Sequence, residues 1–261
     1  MFSVRKSGRL AVTIAVASGM ALLAAAGCGG GGQAPDPSPE PPAPPPTPGP
    51  RADLAARAAA AQDLVAANAY TLQPPSSDQL RPVLVVRAAD GGWRVDISGG
   101  ALGGTADLSI VRTEQGLFQC GPPGCVRVDE LPPAADPRVQ HVFTDWLDVL
   151  RDRSAPLSVS AAEPLPGADP GDCFAVQPSA ASLLAPVDAG VYCYRVDGTL
   201  TAAQLGLGNL TLTSAGQAAP GSVELPGPVI TGEPIPTASP TPSPTPSEAP
   251  SERPSPGGAT P

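Results

Sequence analysis

Hydrophobic positions change their period twice along the chain, and each change marks a switch between helical and extended structure. Leu54, Ala58, Ala61 and Val65 recur at helical spacing and Pro74-Pro75 ends the run, which predicts a helix over residues 51–70. The period then falls to two. Residues 83–87 read as a short apolar strand, Asp90-Gly91-Gly92 as a turn, and Trp93, Val95 and Ile97 as the inward positions of the next strand. Ala106, Leu108 and Ile110 continue the alternation, Glu114-Gln115-Gly116 supplies a turn, and residues 117–120 and 125–129 form a further strand pair.

A second helix is expected from residue 137 to residue 150. Asp136 is a favourable N-cap, and Pro137 sits at the first helical position, where its missing N–H costs nothing. Val139, Val142, Phe143, Trp146 and Leu150 share one face, and Arg151 and Arg153 end the segment where cations suit the helix dipole. Strands resume after Pro156, at residues 157–160, 173–176, 191–196, 199–205 and 210–213, with Asp197-Gly198 as a hairpin turn. Helix, strands, helix, strands is the order of an α+β domain with one large antiparallel sheet.

Composition sets the limits of that domain. Ten prolines fall within residues 29–50 and ten more within residues 234–261. The first group follows four glycines and favours extended polyproline II, so residues 28–50 are expected to be a tether. The second alternates with Ser and Thr and has little to bury, so residues 231–261 are expected to be a disordered tail. Residues 51–230 remain for the folded domain.

The formal charge of −9 excludes a nucleic-acid binder that relies on a basic surface. Lys6 is the only lysine and His141 the only histidine, which excludes lysine chemistry in a mature chain and zinc sites built from several histidines. No G-x-S-x-G marks a nucleophile, no glycine-rich loop opens a dinucleotide site, and no carboxylate pair is singled out. The chain is therefore expected to be neither an enzyme nor dependent on a cofactor. His141 precedes Asp145 by one helical turn. Both lie on the face opposite Val142 and Trp146, with Asp148 and Asp152, which reads as a solvated acidic face.

Arg5, Lys6 and Arg9 precede an uncharged apolar run at residues 10–26 that ends in small residues, the pattern of a secretory signal over residues 1–27. Ala25-Ala26-Gly27-Cys28 resembles the lipobox of bacterial lipoproteins, with Ala25 where Leu is usual. The resemblance implies that Cys28 becomes a lipidated N-terminus, anchoring the protein to the extracytoplasmic face of the cell membrane. Loss of residues 5, 6 and 9 takes the charge from −9 to −12, so anionic headgroups repel the body and attachment rests on the acyl chains.

Four cysteines remain after Cys28, an even number suited to an oxidising compartment. Three pairings exist. Cys120–Cys125 is favoured because Gly121-Pro122-Pro123-Gly124 is a turn sequence, and Cys173–Cys193 because both lie on strands close in sequence. Zinc coordination is disfavoured, since neither spacing is C-x2-C.

With its lipobox, leader helix, turn-linked strands, mid-chain helix and further strands, the region of residues 51–225 resembles the LolA-like class of lipoprotein-handling proteins. Within that class it resembles the actinobacterial lipoproteins of the LppX/LprG type. The resemblance implies a curved, half-barrel-like antiparallel sheet with two helices packed on one face and acyl chains held between them. Val142, Phe143, Trp146 and Leu150 would then line a ligand cavity, and a lipid or other apolar molecule would be the cargo. The same stripe is also what a plain core requires. Two functions are thus carried forward: a carrier of an apolar ligand, and a non-catalytic surface module held out on a tether, its protein partner unnamed by the sequence.

Overall fold

A computed structural model describes residues 49–75, 77–166, 171–179 and 186–238. The signal segment, Cys28, most of the tether and residues 239–261 lie outside the described residues. Helix α1 (Pro50–Asp63) is followed by β1 (Ala67–Gln73), β2 (Arg81–Arg87), β3 (Trp93–Ala101), β4 (Ala106–Thr113), β5 (Gly116–Gly121) and β6 (Gly124–Val128). A 3-10 segment (Val139–Phe143) and α2 (Asp145–Arg151) come next. Strands β7 (Leu157–Ala162), β8 (Asp172–Pro178), β9 (Gly190–Tyr194), β10 (Leu200–Leu205), β11 (Gly208–Gln217) and β12 (Val229–Ile230) complete the described chain.

These strands form one open, curved sheet in the order β12-β6-β5-β4-β3-β2-β1-β11-β10-β9-β8-β7. Neighbours are antiparallel except β12, which runs parallel to β6, so the sheet is mixed rather than wholly antiparallel. The chain meanders outward from β1 to β6, crosses to the opposite edge, and meanders back from β7 until β11 lies beside β1. Residues 129–156 make that crossing over ten strand spacings, about 48 Å along the sheet. The second helical segment lies within this crossing.

Period-two positions meet the helical segments in a single apolar cluster. Tyr70, Leu72, Val83, Val85, Val95 and Ile97 share it with Leu54, Ala58 and Ala61 of α1 and with Val142, Trp146 and Leu150. Gly198 closes the hairpin between β9 and β10 at φ +86°, where a Cβ would come within 2.2 Å of the Ala61 backbone nitrogen. Only glycine allows this turn to sit against α1.

Three expectations are corrected. The helix expected over residues 51–70 ends at Asp63, and residues 67–73 form β1, with Asn68, Tyr70 and Leu72 buried in alternation and Val65 half exposed. The second helix is not continuous. Arg138 takes φ +64°, Thr144 takes φ −131° and ψ −109°, and the stretch splits into a 3-10 turn and a seven-residue helix. Asp136 still accepts the Arg138 backbone N–H at 2.8 Å, but from a residue whose backbone is left-handed.

The third correction concerns the C-terminus. The stretch assigned to a disordered tail from residue 231 is held on the domain as far as Thr237. Ile235 joins the cluster of Ala101, Leu108 and Ile110. The Leu102 and Gly103 amides donate to the carbonyls of Pro236 and Thr237, and the Thr237 amide donates to the carbonyl of Ala134. Pro236 is tolerated in this segment because it takes part through its carbonyl, so its missing N–H is not called on.

Candidate functional site

The four residues expected to line an apolar cavity are core residues. Val142, Phe143, Trp146 and Leu150 are all buried, and the space beneath Val142 and Phe143 measures about 20 Å3. This narrow, partly open space has room for roughly one water, whereas small-ligand pockets begin near 300 Å3. Packing is the physical reason: Phe143 and Trp146 share one apolar cluster with Tyr70, and the Phe143 ring settles 4.9 Å from that of Tyr70. Arg87 of β2 fixes the arrangement by donating to the carbonyls of Phe143 (2.7 Å) and Gln62 (2.8 Å). Burial lowers the pKa of this guanidinium, with Asp63 and Asp148 acting in opposition.

His141 is not on a freely solvated face. Nδ1 lies 2.7 Å from Asp145 and Nε2 lies 2.8 Å from Asp136, while the ring stacks on the Trp146 indole at 5.8 Å and 24°. The Arg138 guanidinium covers Trp146 at 5.8 Å from the ring centroid and pairs with Asp188. Burial opposes the imidazolium, but the bonds to Asp136 and Asp145 outweigh it and raise the His141 pKa to about 9. Both carboxyls are correspondingly held below their usual range: burial works against their charge and the bonds from His141 overcome it. At neutral pH this is a cation donating through both nitrogens. It has no lone pair to act as a general base, and its role is to staple Asp136 to the start of α2.

Beside this staple lies an open cleft of about 600 Å3. Its floor is a row of cross-strand partners, Trp93 of β3, Arg112 of β4 and Leu117 of β5, with Ile110 next to them. One wall is the segment carrying Asp136, Gln140, His141, Asp145 and Asp148; the other is residues 129–131. Asp129 and Glu130 make no hydrogen bond or ion pair among the described residues. Gln140 is 2% exposed, gives its amide N–H to Asp136 at 2.7 Å, and leaves Oε1 without a partner. Sequence reasoning placed Trp93 in the core and passed over Arg112, Asp129 and Glu130. Five separate stretches build the cleft, and no local pattern links them.

The cysteines pair as expected. Cys120 and Cys125 face each other across β5 and β6, and Cys173 and Cys193 across β8 and β9, both pairs as direct register partners 4.0 Å apart at Cα. Two disulfides fit an oxidising, extracytoplasmic compartment. No helix among the described residues is long and apolar enough to cross a membrane, and no group of them could hold a metal ion. Neither a protein family nor a curated protein matches the chain.

Proposed function

We propose that this protein is an exported lipoprotein, anchored through a diacylated Cys28 to the outer face of the cell membrane, whose stapled sheet domain is a non-catalytic binding module. The lipobox-like Ala25-Ala26-Gly27-Cys28 supports the anchor, and the disulfides fit the compartment it implies. In this reading the curved sheet is the half-barrel of the LolA-like class, with two helices seated on one face. It differs from a carrier in what fills that face. The observation that carries the reading is the contrast between the packed space under Phe143, about 20 Å3, and the open polar cleft next to it, about 600 Å3. An acyl chain would have to lift the helical segment off Tyr70 and break the Arg87 bonds before it could enter. The occupied imidazole of His141 supports recognition rather than turnover.

Two measurements test this together. Wild-type protein should sediment with membranes, while Cys28→Ser should be released or persist as uncleaved precursor. The purified protein should show no saturable uptake of a fluorescent fatty acid. Fully processed Cys28→Ser in the membrane fraction would refute the anchor, and stoichiometric fatty-acid uptake would restore the carrier.

A further inference from the structure

We propose that the cleft between residues 129–131 and the 136–148 segment is a binding site for an organic cation that combines a flat apolar body with an N–H-bearing amidinium, guanidinium or ammonium group. The inference deepens the binding-module reading but does not depend on the anchor. At about 600 Å3 the cleft lies within the range of small-ligand sites. Its floor presents Trp93 and Leu117, one an aromatic surface of the kind that attracts cations. Two carboxylates at its rim, Asp129 and Glu130, have no partner among the described residues. Gln140 is buried in the wall, and its Oε1 acceptor is unsatisfied. The exposed carboxylates accept hydrogen bonds as well as attract positive charge, so a cation that carries N–H groups is favoured.

Arg112 is the one lining group that opposes a cation without being occupied elsewhere, since Arg87 is spent on two carbonyls and His141 on two carboxylates. Five lining carboxylates face three lining cations, so the cleft is net negative. The chemistry therefore predicts opposite effects for neighbouring substitutions: removing an acid weakens the ligand, and removing Arg112 tightens it.

The chain holds two tryptophans, Trp93 in the cleft floor and Trp146 in the core, so two indole N–H resonances report on the two places separately. Full-length protein, labelled with 15N in a non-ionic detergent, is titrated with benzamidine, neutral benzamide and anionic benzoate. Absence of one resonance in Trp93→Phe assigns the pair. Benzamidine is expected to shift the Trp93 resonance saturably and further than that of Trp146, which stacks on His141 behind the cleft wall, with benzamide at least fivefold weaker and benzoate not binding. Glu130→Gln and Asp129→Asn should each weaken benzamidine about threefold or more, and Arg112→Gln should tighten it. Both rim residues and Arg112 are at the surface, so the variants keep the fold, checked by an unchanged Trp146 resonance. No saturable Trp93 shift with benzamidine, equal binding of benzamide, preference for benzoate, or weakening by Arg112→Gln would each overturn the proposal. None of these results bears on whether Cys28 is acylated.

Discussion

Gln119 of β5 and Ile235 exchange hydrogen bonds across 116 residues of chain: Ile235 N–H donates to Oε1 at 2.6 Å, and Nε2 donates to the Ile235 carbonyl at 3.0 Å. A third bond runs from Nε2 to the carbonyl of Ala135 at 2.8 Å. One buried amide thus ties the C-terminal segment to the start of the crossing that carries the cleft wall.

Gln119→Leu is expected to cost about 2 kcal/mol, because it strands backbone groups that Gln119 now satisfies. Truncation before Val229 should cost at least as much, since it also uncovers Ile110 and Leu108 beneath Ile235. Truncation after Ala238 keeps all these contacts and should leave the midpoint of urea unfolding unchanged. Urea melts of the three chains check this.

Trp146→Ala should behave as a core deletion. The side chain is buried in a cluster with no sizeable void beside it, so the loss should be roughly 3–5 kcal/mol. A loss under 1 kcal/mol in equilibrium unfolding would mean the helical segment is not packed on the sheet as described.

The His141 staple gives stability a defined pH dependence. Its folded pKa is raised, so its contribution is complete below the unfolded value near 6.5 and disappears as pH rises through about 9. Asp136 and Asp145 are lowered, so their contribution is present above the unfolded value near 3.8 and is lost as pH falls below it. Stability from this cluster is therefore greatest between about pH 4.5 and 6.5. The ring is about a quarter exposed, and after allowance for screening the alkaline loss should be about 2 kcal/mol. His141→Gln should remove most of the difference between pH 6 and pH 9 in denaturant unfolding, below the range in which the buried tyrosines contribute.

Removing the Cys173–Cys193 bridge frees a loop of 20 residues and should cost roughly 3 kcal/mol; the five-residue Cys120–Cys125 loop should cost less. Non-reducing peptide maps should recover these two pairs and no Cys120–Cys173 peptide. Melting of Cys173→Ala/Cys193→Ala against Cys120→Ala/Cys125→Ala orders their effects.

Most strands were legible because Val, Ile and Trp alternate plainly, as in Trp93, Val95 and Ile97, and because Asp197-Gly198 names its own turn. Strand β1 was not. Its segment follows an Ala-rich run without a break, and Ala55, Ala58 and Ala61 say helix while Ala66 and Ala69 say nothing. The break at Thr144 was equally hidden, since Val142, Phe143, Trp146 and Leu150 satisfy helical spacing whether or not the backbone is continuous. The break falls at Thr144, beside Phe143, which is held by tertiary contacts to Tyr70 and Arg87. The disulfides could be read from turn chemistry. The cleft could not: Trp93 packs partly against the core and reads as a core strand residue, and the stretches that surround it lie far apart in sequence.

The mass of the mature N-terminal peptide decides whether Cys28 is the anchor. Arg51 is the first tryptic site after the signal, so trypsin should release residues 28–51 from the membrane-bound protein as one peptide. It should begin at Cys28 and carry a thioether-linked diacylglycerol. A membrane-bound chain whose peptide begins elsewhere, or whose Cys28 is a free thiol, would contradict the account.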